Sequence, residues 1–436
     1  MLLSAKDCAL VRDSYYLLDL PAWQPAPPLQ GEVDCDVAVV GAGLAGLSAA
    51  LELAQRGLRV VVLEAQQAGF GASGRNGGQA IHGLACDMSV IEAQLGRDDA
   101  RRVFDMSIQA LDLMRERMAT HQIACDWQDG FLSVATTPRK ARALASWVQR
   151  MEQAYGYPMQ LAEPGRVRDW IDSPRYHGAA HDPRSGHVHP LQYTRGLAQA
   201  ALRAGARLHE ASPVTALHHG ARPVLETPQG RVRADQVLLA ANVYQGKLAP
   251  SLAARIMPVG TYIVCTEPLD PALLASLIPS RSAVCDTDVV LDYFRPTADQ
   301  RMLYGGRVSY STATPRDMAG TLRRRMVRTF PQLAHARIAH AWGGFVDITM
   351  NRAPDFGRLA ASGPRANVYY LQGFSGHGLA LTGLAGRLVA EAMTADASGF
   401  DLLARLRHRP FPGGPWLRMP ALVLGMAWYR LRDLLG

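Results

Sequence analysis

The feature that most constrains this chain is a glycine-rich turn between an apolar strand and a helix near its start. Residues 36–40, DVAVV, form a short apolar run of the kind buried in a parallel sheet, and residues 44–55 have helical periodicity. Three glycines occupy the turn between them: Gly41, Gly43 and Gly46. In this motif the first glycine allows a tight turn, the second lets a pyrophosphate approach the backbone, and the third lets helix and strand pack closely. With a second strand predicted at 59–63, the pattern indicates a βαβ unit of a doubly wound sheet.

An acidic residue closes the second predicted strand. Glu64 stands where this motif places the group that accepts hydrogen bonds from the ribose hydroxyls, and an acid there disfavours a 2′-phosphate. The helix N-terminus supplies N–H groups and a positive dipole end to the phosphates. The sequence therefore predicts a bound dinucleotide other than NADP, in a site that includes Ala42 and Ala65.

Two further glycine-rich segments favour FAD over NAD. Gly71–Gln79, GASGRNGGQ, follows the second strand, and Gly373–Gly378, GFSGHG, joins a predicted strand at 368–371 to a helix that runs through Met393. Two such segments serving one cofactor suit an extended molecule with both a pyrophosphate and a ring system. A helix N-terminus aimed at the flavin N1 and C2 carbonyl would stabilise the negative charge that collects there on reduction. An ordinary strand-to-helix turn is the alternative for GFSGHG.

The order of predicted elements indicates an α/β protein with a discontinuous Rossmann-type FAD-binding domain and an inserted α+β substrate domain containing a mixed or antiparallel sheet. Four prolines before residue 30 predict an irregular N-terminal arm on the surface. We expect these boundaries: the arm at 1–30, the FAD-binding domain at 31–85, 186–250 and 340–400, the substrate domain at 86–185 and 251–339, and a C-terminal tail or helix at 401–436.

The formal net charge of +8 does not by itself predict a nucleic-acid partner. Arginine carries nearly all the positive charge, spread along the chain with acidic residues between, and we expect no nucleic acid to bind. The densest arginine run, at 323–328, has the spacing of a solvated helix face, with a site for an anionic partner as the alternative.

Cysteine usage and the termini bear on location. The six cysteines form no CxxC pair and lack the density of a secreted disulfide scaffold, so we expect a reducing cytoplasm. No segment approaches the ~18 apolar residues needed to cross a bilayer. The tail, apolar over 417–429 with tryptophans and arginines around it, is typical either of a peripheral membrane helix or of a last helix docked on its own domain.

Several longer motifs resemble the D-amino-acid oxidase superfamily of flavoproteins, and among its members most resemble the bacterial gamma-glutamylputrescine oxidases. The similarity extends from about residue 30 to the C-terminus, on these segments: GAGLAG, LEAQQAGFGASGRNGGQ, SGHVHPL, LDYFRPTADQRMLYGG, RAPDFGRL, YYLQGFSGHG and PFPGG. The resemblance implies the two-domain fold and the oxidation of an amine by hydride transfer to flavin N5. It implies an imine that water hydrolyses to an aldehyde, gamma-glutamylputrescine or a related polyamine conjugate as substrate, and O2 or a quinone as electron acceptor.

The resemblance also assigns roles to individual residues. It places Ser73, Arg75, Asn76, Gly77 and Gly78 along the pyrophosphate, Val214 beside the adenine, and Gly376, His377 and Gly378 below the flavin ring. Gln79, Gly373 and Leu379 complete the predicted cofactor site.

Two departures from the sarcosine-oxidase-like relatives are visible. No cysteine lies between Gly343 and Arg352, where those enzymes attach flavin covalently, so we predict noncovalent FAD. The lysine that they place over the flavin to activate oxygen is replaced here by Leu303 or Tyr304. Rapid use of oxygen is therefore in question.

Hydride transfer from a positioned, neutral amine requires little of the side chains. We expect Asp292, Tyr293, Arg295 and Arg352 to orient the substrate, and His377 to contact the flavin. Arg352 could bind a carboxylate through two hydrogen bonds, or it could instead bridge the domains.

Four histidines between 177 and 189 lack zinc spacing, so we predict no metal. Two other functions stay open. One is a D-amino-acid or N-methyl-amino-acid dehydrogenase that passes electrons to a quinone, and the other is a flavin-containing RNA-modifying or RNA-binding protein.

Overall fold

A computed structural model describes residues 5–18, 20, 23–288, 290–306, 315–359 and 366–413. The apolar stretch 417–429 lies outside the described residues. Numbered in chain order, the described strands β1 to β17 are Gly31–Val40, Val60–Leu63, Gln79–Ala80, Gln128–Ala135, Gln160–Leu161, Gly178–His187, Arg207–His209, Ala216–His218, Val224–Glu226, Gly230–Leu239, Ile256–Thr266, Ala283–Asp286, Asp292–Pro296, Met302–Gly306, Ile338–Thr349, Asp355–Arg358 and Val368–Gln372. The described helices α1 to α11 are Ala5–Ala9, Leu44–Gln55, Met88–Leu95, Arg97–Thr120, Pro138–Tyr155, Pro190–Arg203, Pro250–Ala253, Pro271–Leu277, Met318–Thr329, Gly378–Thr394 and Ser398–Ala404.

The first sheet is the predicted nucleotide-binding sheet. Its main strands pair in the order β16-β17-β10-β1-β2-β7, and all are parallel except the edge strand β16. β2, with the sequence VVVL, is buried along its whole length, as is typical of strands covered on both faces. The expected βαβ unit, β1-α2-β2, is confirmed.

Helices α2 and α10 lie against each other on this sheet. Gly386 permits the close contact, since a Cβ atom there would lie 2.4 Å from Ser48 Oγ. The Ser48 hydroxyl also donates a hydrogen bond to Gly383 O at 2.6 Å. Because each helix follows a parallel strand, both N-termini lie at the carboxyl edge of the sheet, where such folds bind ligands. β10 separates β1 from β17, so their glycine-rich turns are two strand spacings, or about 10 Å, apart.

The second sheet carries the inserted domain and is mixed, as predicted. It runs β15-β11-β14-β13-β12-β4-β6-β3, with β5 beside β6, and its neighbours are antiparallel except β12 and β4. Stacked aromatic rings fill the core on one face, with the Phe294 and Tyr304 centroids 5.2 Å apart.

Two expected domain boundaries fall elsewhere in the structure. β3 and β15 both pair in the second sheet, although we expected 31–85 and 340–400 to belong wholly to the first. β15 continues to Thr349, so the chain returns to the first sheet only after that residue.

The expectation of an irregular surface arm is wrong for the N-terminal segment. Ala5–Ala9 is helical, and Tyr15 and Tyr16 are buried against Trp342 of the second sheet. The Tyr16 and Trp342 rings meet edge to face, with centroids 5.1 Å apart. The prolines fall in the following stretch, where Glu210 accepts hydrogen bonds from the Trp23 indole and from Ala26 N. Long-range contacts, which no local signal reveals, bury this segment.

The arginine run at 323–328 lies on α9 and is not uniformly solvated. Arg324 is exposed and pairs with Asp317 at 3.1 Å. Arg325 turns inward and forms a 2.6 Å ion pair with the buried Asp292. Among the helices that the structure describes, none is long and apolar enough to cross a membrane.

Candidate cofactor and active site

The first glycine turn has the geometry that its sequence predicts. Gly41 has φ +107°, and a Cβ atom there would lie 2.8 Å from Ala240 O. A Cβ atom on Gly46 would lie 2.0 Å from Gly41 O, so this residue must be glycine for helix α2 to pack against the turn. The first turn of α2 contains no acidic residue, and Gly43 offers no side-chain cap. This helix N-terminus is therefore open to an anion.

Glu64 lies directly beside this turn. Its Oε2 accepts a hydrogen bond from Ala42 N at 2.8 Å and its Oε1 accepts one from Gln66 N at 2.9 Å. Burial raises the pKa of Glu64, against the opposing effect of these two N–H groups. Ser212 N donates to Glu64 O at 2.8 Å, which draws the chain leading to Val214 alongside. Each carboxylate oxygen retains capacity to accept from a ribose hydroxyl.

The loop 71–79 joins the two sheets at the same edge. Ser73 Oγ accepts a hydrogen bond from Leu44 N at 2.9 Å, which leaves the hydroxyl hydrogen available for a phosphate oxygen. Asn76 shapes the loop, because its amide donates to Ala72 O and Ser73 O and accepts from Gly78 N. Gln79 is already part of β3, and its amide donates to Val284 O at 3.0 Å.

Arg75 anchors this loop from beneath. It is buried, and Nη1 forms a 3.0 Å ion pair with the buried Asp7 of the N-terminal segment. Nε donates to Phe70 O at 2.5 Å. Nη2 is buried without a hydrogen-bond partner among the described residues. An unsatisfied guanidinium N–H group at this place suits an acceptor group supplied by a ligand.

The second glycine turn has a different backbone from the first. Gly373, Ser375 and Gly376 all have positive φ, at +78°, +54° and +87°. Gly376 is exposed, and a Cβ atom there would meet nothing within 4 Å. Helix α10 begins at Gly378 with no side-chain cap and no acidic residue in its first turn, which includes Leu379. The turn thus presents open backbone at a second helix N-terminus.

The His377 ring is held by a hydrogen bond to the backbone of His82, which follows the loop 71–79 and β3. Its Nε2 lies 2.8 Å from His82 O, and burial lowers the pKa of His377 to about 4. The ring is therefore neutral near pH 7, and Nε2–H donates to the carbonyl. His82 is itself fixed by Asp182, whose Oδ2 lies 2.6 Å from its Nδ1. Neither His82 nor Asp182 was predicted.

Asp347 was also not predicted. It lies near the end of β15 in the second sheet, and its Oδ2 accepts a hydrogen bond from Gly373 N at 2.5 Å. Ser375 N donates to Asp347 O at 3.1 Å. Burial raises the pKa of Asp347 to about 6, against the effect of the N–H groups of Gly373, Phe374 and Ser375. The second turn therefore binds a carboxylate from the other sheet.

The predicted substrate-orienting residues have diverse environments. Tyr293 faces the cofactor loop, because a Cβ atom on Gly77 would lie 2.8 Å from its ring, and its hydroxyl lies 3.1 Å from Thr261 Oγ1. Arg295 is buried and donates to Gly77 O, Val188 O and Tyr16 Oη at 2.8, 3.0 and 3.3 Å. Asp292 points to the opposite side, into ion pairs with Arg175 and Arg325. Of these three residues, Tyr293 faces the cofactor loop, whereas Arg295 and Asp292 have structural partners.

Arg352, unlike Arg295, has neither an ion-pair partner nor a side-chain hydrogen bond among the described residues. Its side chain is half-buried, and the residue lies just after the turn that follows β15, with φ +59°. Cys86 lies within its electrostatic reach, yet burial outweighs the arginine charge and raises the pKa of that thiol to about 12. The thiol near this arginine is therefore protonated and a poor nucleophile.

The two residues considered in place of the oxygen-activating lysine lie on opposite faces of β14. Leu303 is covered by the N-terminal segment in the cluster with Tyr15 and Tyr16. Tyr304 faces the other way, and its hydroxyl lies 2.9 Å from Thr329 Oγ1.

The histidines between 177 and 189 were considered for a metal site, and His187 Nε2 lies 2.9 Å from the backbone oxygen of Arg281. The described residues hold no cluster of ligands suited to a metal ion.

The residues present fit an FAD molecule. One sheet edge carries two helix N-termini without side-chain caps and the Glu64 acceptor, and the loop 71–79 beside them contains the unsatisfied Arg75 N–H group. In the second turn, the exposed Gly376 has no protein atom within 4 Å of the position that a Cβ atom would occupy. When bound, FAD would supply the hydride acceptor.

Comparison with known proteins identifies the family of this chain. The model of the DAO family, FAD dependent oxidoreductases, matches residues 36–392. Gamma-glutamylputrescine oxidoreductase of Escherichia coli (strain K12) is 43% identical over 424 residues, which cover 97% of this chain and 98% of that protein.

Solved structures of the same fold are also similar. Glycine oxidase from Geobacillus kaustophilus superposes with a TM-score of 0.74 at 24% identity, over 86% of this chain and 100% of the other. L-proline dehydrogenase from P. horikoshii gives a TM-score of 0.70 at 20% identity, over 86% and 98% of the two chains. The chain therefore belongs to the DAO family of FAD-dependent oxidoreductases and acts on amine or amino-acid donors.

Proposed function

We propose that this enzyme oxidises the primary amine of gamma-glutamylputrescine or a related polyamine conjugate, with noncovalently bound FAD. The observation that carries the proposal is the 43% identity to gamma-glutamylputrescine oxidoreductase along nearly the full length of both chains. The carbon next to nitrogen would transfer a hydride to the bound FAD, and water would hydrolyse the resulting protonated imine to an aldehyde and ammonium.

The side chains act mainly by position. Tyr293 and Thr261 place a pair of hydroxyl groups on the face of the second sheet that meets the cofactor loop. His377, neutral at pH 7, holds the start of α10 against His82 and adds no charge beside the amine. A site that is shielded from water and has no added charge favours the neutral amine, which is the form that can donate hydride.

Arg352 is our candidate for binding the carboxylate of the glutamyl group. Arg295 and Arg75 already donate to protein acceptors, whereas Arg352 has no ion-pair partner among the described residues. A guanidinium group can hold a carboxylate through two charge-assisted hydrogen bonds. Putrescine itself has no carboxylate, so Arg352 would distinguish the conjugate from the free diamine.

Anaerobic reduction of the holoenzyme tests the substrate. Purified protein is mixed with gamma-glutamylputrescine, putrescine, sarcosine or D-alanine while flavin absorbance is recorded. We expect fastest bleaching with gamma-glutamylputrescine. Bleaching by sarcosine or D-alanine alone would overturn the proposal in favour of an amino-acid dehydrogenase.

The Arg352→Met variant tests the carboxylate contact. Loss of a charged hydrogen-bond donor costs about 1.5–3 kcal/mol, so KM for gamma-glutamylputrescine should rise about 10- to 150-fold while kinetics with putrescine stay unchanged. The exposed Arg142→Met on α5 is the matched control and should leave both substrates unaffected. An equal loss with both substrates would contradict a carboxylate-binding role.

The electron acceptor and the location of the protein are separate questions. Stopped-flow reoxidation of the reduced enzyme by air and by a soluble quinone distinguishes an oxidase from a dehydrogenase.

Cytoplasmic location and membrane contact through the tail stay predictions. Sedimentation of the full chain with and without anionic liposomes tests the contact.

A further inference from the structure

The second glycine turn contains a negative charge that comes from the other sheet. Asp347 is only 2% exposed, and its carboxylate binds Gly373 N directly. Thr349, on the same strand, ties the turn a second time, because its N–H group donates to Ser375 Oγ at 3.2 Å. The end of β15 is thereby fixed to the turn that leads into α10.

Ionisation of the buried Asp347 costs free energy that its hydrogen bonds do not fully offset. Successive N–H groups in a turn of positive φ form a concave site for an anion, and here the anion is part of the protein. Even so, burial raises the pKa of Asp347 to about 6, so the ionised form is disfavoured relative to an exposed aspartate. Asparagine, of the same shape, could accept from Gly373 N without a charge. Retention of a costly charge beside a cofactor site suggests that the charge acts on the cofactor.

The direction of that action follows from electrostatics. The N-terminus of α10 carries a positive partial charge of about half a unit, which favours electron density on a flavin ring placed there. The Asp347 carboxylate carries the opposite sign, and it occupies N–H groups just before the helix begins. Its effect therefore opposes that of the helix dipole.

We propose that the buried carboxylate of Asp347 lowers the reduction potential of the bound flavin, by offsetting the positive end of helix α10. The inference rests on the placement of the flavin ring at the start of α10 and concerns the cofactor, not the identity of the amine. Asp347 is a positioning and electrostatic residue, since its recorded contacts are with the turn.

The test compares holoenzymes at pH 8, where Asp347 is ionised. Midpoint potentials are measured anaerobically against a reference dye, and sulfite affinity serves as an independent probe of positive potential at the flavin. In Asp347→Asn we expect the ratio of reduced to oxidised flavin at fixed potential to rise about tenfold, or about 30 mV for a two-electron couple. Sulfite should bind about tenfold more tightly.

Thr349→Val is the matched control, because it removes a hydroxyl that bonds the same segment but leaves the charge. At a fixed potential, its ratio of reduced to oxidised flavin should stay within twofold of the wild-type ratio. Asp347→Ser supplies a second neutral variant if Asp347→Asn folds poorly.

Three outcomes would overturn the inference. They are wild-type potentials in both neutral variants, an equal shift in Thr349→Val, and folded neutral variants that no longer bind FAD, which would leave Asp347 a purely positional role. Failure of gamma-glutamylputrescine to bleach the flavin would refute the proposed substrate and leave these measurements unaffected.

Discussion

The two glycine turns at the edge of the first sheet, which we propose bind one cofactor, are built differently. The turn at Gly41–Gly46 is fixed by close contacts within its own strand and helix and by Glu64 from the next strand. The turn at Gly373–Gly378 has three residues with positive φ, and a carboxylate from the second sheet holds it in place. The first is specified locally, whereas the second depends on how the two sheets meet.

We infer from this difference that the first turn recognises the cofactor, whereas the second also influences its reduction potential. A locally specified turn can bind phosphates in any protein that contains the motif, because only backbone N–H groups and the helix dipole are needed. A turn held from another sheet can combine the cofactor with charges and constraints from the substrate domain. Substitutions that distinguish local from long-range support are therefore the most informative.

The largest expected effect is that of a substitution in the first turn, which is specified locally. A Cβ atom on Gly46 would lie 2.0 Å from Gly41 O, a backbone atom that cannot move without opening the turn. We expect Gly46→Ala to lower the free energy of unfolding by more than about 3 kcal/mol and to abolish FAD binding, as measured by urea unfolding and by flavin retention.

Gly376→Ala is the informative counterpart in the second turn. Its Cβ atom would meet nothing within 4 Å, and its only penalty is the positive φ of +87°, about 1–2 kcal/mol. A larger loss of stability in Gly376→Ala than in Gly46→Ala would reverse the proposed distinction between the turns.

An intermediate effect is expected in the loop 71–79, which contacts the start of α2 through Ser73 and is anchored by a distant residue. Asp7→Asn would leave the buried Arg75 guanidinium without its ion-pair partner, at a cost of about 3 kcal/mol. The cofactor loop 71–79 should loosen, so FAD affinity should fall together with the melting temperature. The exposed Asp13, which accepts from Ala341 N, gives the control Asp13→Asn, with an expected loss of 0 to about 1 kcal/mol. Equal effects of the two variants would show that the Asp7 contact is not part of the cofactor site.

The smallest effect is a pH dependence in the second turn. The pKa of Asp347 is raised to about 6 in the folded protein from an ordinary value of 3.8. A raised carboxyl pKa stabilises the fold at low pH, and that stability is lost as pH rises through the folded pKa. Relative to Asp347→Asn, apoprotein with the native residue should lose about 1–2 kcal/mol of unfolding free energy between pH 5 and pH 8. Urea unfolding at both pH values measures this difference, and a constant difference would mean that Asp347 does not change its charge.

Residue patterns predicted much of the fold because the relevant signals are short in range. The predicted βαβ unit, the strand β17 and the helix α10 all occur in the structure. Each depends on an apolar run or a helical period that neighbouring residues supply. The surface arm was the main error, since its burial depends on Trp342 and Arg75, which are distant in the chain.

The sequence by itself determined the nucleotide-binding turn and its acid, because backbone geometry, helix dipole and strand order follow from adjacent residues. Only the tertiary structure decided the partners of the predicted charges. It gave Arg295 the backbone of Gly77, gave Asp292 two arginines, left Arg352 without an ion pair among the described residues, and placed Asp347 beneath the second turn. The physical reason is that a side chain's charge and hydrogen bonds depend on what the fold brings within a few ångströms, and residues hundreds of positions apart supply those neighbours here.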